Sequence, residues 1–282
     1  MGKRLGLRQW VALKLFKKLR QIRRDEHILN TLFWECTLRC NLQCRHCGSD
    51  CKVDTTLTDM PAKDFFRVLD NEITPNVDPH KVLIILSGGE VLMRDDLELI
   101  GEELTRRGYP WGMVTNGLAL SEERLAGLVK AGLRSISVSL DGFEEEHTFI
   151  RRNPKSFTHA MEAIHAIQCY PQLAHDVITC VTPALVPRLE AFKEWLIGEG
   201  VSEWRIFSIF PAGRANEHRS LQLSAEEFRT TLDFIRRTRK EGRINLSYAC
   251  EGFLGNYETE VRDHFYQCAA GVSVASIRVD GS

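Results

Sequence analysis

The chain has 282 residues, 43% apolar and 27% charged, with a formal net charge of -1. This is the composition of a soluble globular protein with room for one large domain and a small appendage, and its charge balance argues against a surface built for nucleic acid. Nine cysteines, five of them between positions 36 and 51, do not form a secreted disulfide framework and point to a reducing cytosol, and no apolar run approaches the ~18 residues needed to span a bilayer.

Residues 1–24 carry Lys3, Arg4, Arg8, Lys14, Lys17, Lys18, Arg20, Arg23 and Arg24 and no acidic residue, with Leu7, Val11, Leu15, Leu19 and Ile22 at helical spacing. The pattern predicts a basic amphipathic helix, assigned to residues 1–29. Lys14 and Lys17 interrupt the apolar run a signal peptide would need. Such a helix can lie on an anionic membrane surface, or it can pack its stripe on the domain and leave its charge in water. The expected location is the cytoplasm, with peripheral contact at the inner face of the membrane left open.

Thr31 to Trp34 predicts the first strand, and it feeds Cys40, Cys44 and Cys47 at spacing C-x3-C-x2-C. Cysteine thiolates are the usual ligands of iron-sulfur clusters, and three of them leave one iron of a four-iron cluster open. An open iron can be chelated by the amino and carboxylate groups of an amino acid. The other reading is a structural zinc site completed by Cys36, Cys51 or His46, although such sites usually pair two cysteines with a second pair further along, and no second pair follows at such a distance.

Thr58-Asp59-Met60-Pro61 opens a helix bearing Phe65, Phe66, Val68, Leu69 and Ile73. Lys81 to Leu86 reads as a strand buried on both faces, ending at Ser87-Gly88-Gly89-Glu90. Gly88 and Gly89 permit positive φ and close approach, so a ligand can lie against the strand end. Glu90 can meet a cationic group or cap the next helix. The unit of strand, polar corner and helix then repeats. Strands at Gly112–Val114, Ser135–Val138, Val177–Val181 and Trp204–Phe210 alternate with helices over Ser121–Lys130, Ser156–Gln168, Leu189–Ile197 and Ser224–Lys240. Six such units over residues 30–242 predict an α/β fold, a partial (β/α)6 TIM-like barrel left open, with its site at the carboxyl ends of the strands. Asp141 can act on substrate or form its Asp-Gly turn, and Asn116 in the Thr-Asn-Gly corner has a turn role. Cys169 and Cys180 read as core thiols, and Cys36 and Cys51 as buried or spare ones.

These motifs together resemble the radical S-adenosylmethionine (SAM) enzymes over about residues 30–215. The matching residues are the Cys40, Cys44, Cys47 signature, Ser87-Gly88-Gly89-Glu90, Ser139-Leu140-Asp141-Gly142 and Arg151. The resemblance implies a [4Fe-4S] cluster on the three cysteines with SAM on the open iron. One electron from a donor such as flavodoxin or ferredoxin would cleave SAM to a 5'-deoxyadenosyl radical, which removes a hydrogen atom from the substrate. It further implies that Gly88 and Gly89 contact the SAM amino group, that Ser139 makes a polar contact, and that His46 lies near the adenine. Arg151 is suited to the SAM carboxylate by its planar fork. Val91 departs from the family's usual proline, and Arg152 from its usual glycine, so either Arg151 or Arg152 can be the ligand arginine.

Arg243 to Ala249 predicts another strand. Cys268-Ala269-Ala270-Gly271 and Val279-Asp280-Gly281-Ser282 resemble the opening of a SPASM extension, which carries auxiliary clusters. Residues 243–282 are therefore expected to begin a truncated extension of a longer enzyme, in which Cys250 and Cys268 would serve an auxiliary [4Fe-4S] cluster only in the full-length parent. SPASM enzymes mostly modify peptides and proteins, so the resemblance implies an oxidoreductase or maturase with such a substrate. The stretches Gly-Leu-Arg-Gln-Trp and Phe-Trp-Glu-Cys-Thr-Leu-Arg-Cys are similar to the radical SAM enzyme family of the rSAM/lipoprotein system, which implies a lipoprotein-related partner. The alternative is a zinc or iron-sulfur binding module without turnover.

Overall fold

The structure is a computed structural model that describes residues 6–250, 252–266 and 268–282; Lys3 and Arg4 of the expected basic helix lie outside them. The first helix, α1 (Leu7–Glu26), follows the basic repeat and has Arg23 and Arg24 in its last turn, where cations favour the helix dipole. Its apolar stripe is not packed on the domain. Leu7, Val11, Leu15, Leu19 and Ile22 are 42–78% exposed, and the helix touches the body along a neighbouring arc, where the Phe16 and Phe265 rings meet at 5.1 Å.

The body begins with β1 (Thr31–Thr37), α2 (Ala62–Val68), β2 (Leu83–Gly88), α3 (Leu97–Arg106) and β3 (Trp111–Thr115). It continues through α4 (Glu122–Lys130), β4 (Leu133–Ser139), α5 (Glu144–Arg151), α6 (Ser156–Gln168) and β5 (Ala174–Val181). It ends with α7 (Leu189–Gly198), β6 (Glu203–Ser208), α8 (Ala225–Glu241), β7 (Asn245–Tyr248) and β8 (Val274–Ile277). The helix α8 shows the local logic. Ser224 and Glu227 form a reciprocal capping box at its start, and Gly242 ends it in the left-handed region at φ 69°.

All strands run parallel in one sheet of order β7-β6-β5-β4-β3-β2-β1-β8. Leu83 and Ile85 of β2 share a cavity of ≈740 Å³ with Asn245 and Ser247 of β7, so the sheet curls into an open barrel around a lumen. The expected partial TIM-like barrel is therefore present, with eight strands rather than six. The seventh was expected at 243–249. The eighth was not: β8 lies beside β1, Thr31 opposite Val274 and Trp34 opposite Ile277, so residues 243–282 supply both sheet edges.

Side chains alternate along the strands. Trp34, Ile84, Leu86, Met113, Val138 and Trp204 are buried beneath the helices. Leu83, Ile85, Ser135 and Asp176 face the lumen, so the 81–86 strand is fully covered on one face only. Helices lock onto the outer face through aromatic contacts. Trp34 stacks on Phe65 of α2 at 3.8 Å, and Trp204 meets Phe192 of α7 at 5.6 Å and Phe234 of α8 at 5.9 Å. Trp204 is fully buried and donates its indole N–H to Thr179 Oγ1 at 2.9 Å. Trp204→Ala is expected to cost about 3–5 kcal/mol, read as a lower denaturant midpoint, because a large cavity remains; an unchanged midpoint would show that this aromatic layer does not clamp α7 and α8 to the sheet.

Candidate functional site

The carboxyl ends of β1 to β5 converge on the cysteine loop. The first contact is backbone on backbone. Gly89 N–H donates to Thr37 O at 2.7 Å and Glu90 N–H to Arg39 O at 2.9 Å, which carries the β1 chain across the end of β2. A Cβ on Gly88, whose φ is 128°, would stand 2.1 Å from Thr37 O, and one on Gly89 2.2 Å from Arg39 O. The expectation that these glycines make room for a ligand is thus corrected in part: the close neighbour is the root of the cysteine loop, although both residues also line the cavity beside it.

Cys40 and Cys44 are buried and Cys47 is half-buried, and all three line one cavity of ≈270 Å³ with His46, Gly88, Gly89, Glu90, Ser139 and Arg151. The loop is pinned from outside. Arg45 N–H donates to Ile150 O at 2.8 Å, and Asn116 Nδ2 donates to Asn41 Oδ1 at 2.8 Å and approaches Cys40 Sγ at 4.0 Å. Arg214, from the corner after β6, donates to Cys44 O at 3.0 Å, Cys51 O at 2.8 Å and Asp50 at 2.7 Å. Burial pushes the Cys40 thiol up to about 11 and raises that of Cys44, while a hydrogen bond from Cys51 holds Cys47 down at about 5. Cys36 stays apart at the end of β1, its thiol on Ser87 O at 3.5 Å and pushed by burial up to about 12. Cys51 packs with Cys40, Leu42 and Cys44, and its hydrogen bond to Cys47 together with burial raises its own thiol.

The donor set can be tested against a metal. A tetrahedral zinc with Zn–S near 2.3 Å holds its sulfurs about 3.8 Å apart. Among the described residues, the set of ligating atoms lying within 4.8 Å of one another is His46, Asp141 and Cys180, and the Cys40, Cys44 and Cys47 sulfurs form no such set. The three thiols line one cavity, and three thiolates suit a four-iron cluster with one open iron better than a closed four-ligand zinc site. The His46, Asp141, Cys180 set already has a cation, Arg151, on its carboxylate.

Arg151 and Asp141 form the polar wall. Asp141 is fully buried after β4; its Oδ2 accepts from Arg151 Nε at 2.7 Å, its Oδ1 from the Cys180 N–H at 2.9 Å, and His46 Nε2 lies 3.6 Å away. Burial works against its charge, but Arg151, His46, His147 and the Cys180 N–H outweigh burial and hold the carboxyl down at about 2. Arg151 Nη1 reaches Cys44 Sγ at 3.8 Å. Arg152, in the left-handed region at φ 57°, is exposed, so of the two arginines Arg151 faces the cavity. His46 is pushed down to about 4 by burial and the nearby arginines, which makes it a neutral ring at neutral pH. Glu90 is buried and capped on both oxygens: Leu92 N–H and Thr115 Oγ1 donate to Oε1, and Asn116 N–H to Oε2 at 2.7 Å. Its capping role is realised.

Sequence reading missed three participants. Cys180, read as core, lies against Asp141 and His46; Arg214 had no assigned part; and α5, which carries Arg151, was not predicted. Cys169 is exposed at the end of α6 rather than in the core. The signal available for Cys180 and Arg214 was position, since both sit at or just beyond the carboxyl end of a strand.

A parallel open barrel with a thiol-rich loop, a Gly-Gly-Glu corner and a buried Arg–Asp wall at its carboxyl face defines an enzyme that carries a cluster and a small polar cofactor there. The chain belongs to the radical SAM superfamily, whose family model matches residues 34–182. That family uses a [4Fe-4S] cluster and SAM. Among curated relatives, the AdoMet-dependent heme synthase of Oleidesulfovibrio alaskensis is 26% identical over 77% of this chain and 55% of its own length. The Fe-coproporphyrin III synthase of Methanosarcina barkeri is 28% identical over 80% and 55%. The chain thus spans little more than half the length of these relatives. Among solved structures, SuiB of Streptococcus suis bound to S-adenosylmethionine superposes with TM-score 0.65 at 15% identity, covering 99% of this chain and 66% of SuiB; the same protein bound to precursor peptide SuiA gives 0.61 at 12%, covering 89% and 56%.

Asp141→Asn leaves the Arg151 charge buried without its partner and is expected to cost about 3–5 kcal/mol near neutral pH. The depressed carboxyl stabilises the fold above its ordinary value near 3.9, and this contribution fades as pH falls towards about 2. Unfolding curves should therefore show a constant gap between parent and variant above about pH 5 that narrows on acidification; a gap that widens in acid would reverse the assignment.

Proposed function

We propose that Cys40, Cys44 and Cys47 hold a [4Fe-4S] cluster, that the wall formed by Gly88, Gly89, Glu90, Ser139, Arg151 and His46 receives SAM, and that the enzyme modifies a peptide or protein. The observation that carries this reading is the convergence of three thiols with Arg151 in one cavity at the strand ends. When bound, the cluster supplies the electron that splits SAM into methionine and a 5'-deoxyadenosyl radical. The chain's own residues bind and orient. Arg151, held by Asp141 through Nε, turns Nη1 toward the Cys44 thiol and would offer its planar fork to the SAM carboxylate. Ser139 supplies a hydroxyl at the end of β4, and the neutral His46 ring offers a flat, half-buried surface. Gly88 and Gly89 line the cavity at the root of the cysteine loop. Glu90 fixes the Thr115–Asn116 corner, and through Asn116 steadies Cys40. An external one-electron carrier such as flavodoxin or ferredoxin completes the system.

The polypeptide substrate is supported by the fold shared with SuiB, which has been solved with a precursor peptide. A lipoprotein-related polypeptide and an auxiliary cluster on Cys250 and Cys268 in a longer parent belong to the same reading, with residues 30–242 as its catalytic barrel. A tetrapyrrole substrate is the second reading, favoured by the names of the relatives that align over about four-fifths of the chain.

The test is anaerobic reconstitution with iron and sulfide, followed by SAM and dithionite. The parent is expected to turn brown and release 5'-deoxyadenosine, Cys40→Ala to do neither, and Cys36→Ala to do both. A protein that takes up no iron and carries one tightly held zinc would sink the proposal. Arg151→Ala is expected to raise the KM for SAM by about tenfold to a hundredfold, the equivalent of one charge-assisted hydrogen bond of about 1.5–3 kcal/mol. A mass change in an added peptide or in an added tetrapyrrole then separates the two substrates.

A further inference from the structure

The helix α1 stands unexplained by the site. Its residues Leu7, Val11, Leu15, Leu19 and Ile22 fall within an arc of about 120° on a 3.6-residue helix. Together with Trp10 they make up six of the thirteen large apolar side chains exposed on the described surface. That is an apolar strip about 22 Å long, given a rise of about 1.5 Å per residue, with no covering element among the described residues. The strip lies among seven cations, Arg8, Lys14, Lys17, Lys18, Arg20, Arg23 and Arg24. Among the described residues only Arg24 has an ion pair, with the adjacent Asp25 at 3.8 Å.

We propose that α1 is a surface anchor for an anionic lipid bilayer, lying in the plane of the headgroups with this strip down and the body of the enzyme held above it. Two observations select a bilayer over a second copy of the chain. Arg8 and Lys18 project from within the apolar arc itself, between Leu7 and Leu19 on the wheel. At a lipid interface their stems lie along the apolar face while the charges reach the phosphates. In a helix pair the same two residues would be trapped in a dry seam, which would set two like charges against two. The helix does not cross the membrane, since no helix of the described residues is long and apolar enough to do so. The inference is independent of the SAM chemistry and needs no cofactor to be present.

The test is co-sedimentation of the full chain with vesicles of phosphatidylcholine alone and of phosphatidylcholine mixed with phosphatidylserine, at low and high NaCl. Each basic residue near an anionic surface contributes about a fivefold gain in affinity. Mixed vesicles are therefore expected to bind at least about a hundredfold more tightly, with release by salt. The double variant Leu15→Glu, Leu19→Glu should lose binding to both vesicles at unchanged circular dichroism. Arg8→Gln with Lys18→Gln should weaken binding to mixed vesicles, whereas it would strengthen a helix pair. Equal binding to both vesicles, binding to neither, or a dimer in light scattering that the Leu15→Glu, Leu19→Glu variant dissolves and the Arg8→Gln, Lys18→Gln variant stabilises would overturn the proposal.

Discussion

The site depends on a backbone contact. The chain leaving β1 is laid across the end of β2 so closely that Thr37 and Arg39 carbonyls occupy the space where side chains of residues 88 and 89 would stand. Two hydrogen bonds hold it there, and they fix the direction in which Cys40 enters the loop. Everything downstream inherits that direction. Cys44 arrives beside Arg151, Cys47 beside Cys51, and Gly88 and Gly89 end up lining both the root of the loop and the cavity under it. Two consecutive glycines are a steric condition here before they are anything else.

Around this root the protein builds a chain of charge-assisted contacts that crosses three strands. Cys44 meets Arg151 on α5, Arg151 is held by Asp141 at the end of β4, and Asp141 takes the first N–H beyond reach of the β4 ladder, from Cys180 on β5. Arg214 closes the circuit from β6 by binding the carbonyls of Cys44 and Cys51. A loop without regular structure is thereby given the rigidity of the sheet that surrounds it. Charged groups buried in pairs cost stability to assemble and confer a defined geometry, which suits a site whose working parts are polar.

Much of this was legible. Cysteine spacing, the Gly-Gly-Glu corner and the alternation of apolar runs with polar corners are local patterns, and they placed the barrel and the cavity. The failures are non-local. In α5 the first three residues are Glu144, Glu145 and Glu146 and the last is Arg151, which leaves little apolar periodicity to read. Its buried Glu146 and Arg151 are paired with Arg188 and Asp141, partners that helical periodicity cannot reveal. Cys180 looked like core because alternation along β5 has two faces, and the sequence does not say which one turns to the lumen. Four residues, Val274 to Ile277, are too short a run to announce a strand, and what makes them one is the free edge of β1. The helix α1 was recognised as amphipathic, but its orientation was not recoverable, because Phe16 on a neighbouring arc makes the contact with the body.

The pairing of β8 with β1 has a consequence for biosynthesis. Strand β1 can gain its neighbour on one side only after some fifty more residues and on the other only after residue 277, so until then the growing chain presents an open edge of peptide groups. An open edge of this kind invites pairing with other nascent chains. The sequence Thr31-Leu-Phe-Trp-Glu-Cys-Thr37 carries one charge, Glu35, along that edge, and in the finished fold the same carboxylate accepts the Val279 N–H at 3.3 Å. One acidic residue thus serves twice, as a guard on the growing chain and as a latch for the segment that follows β8.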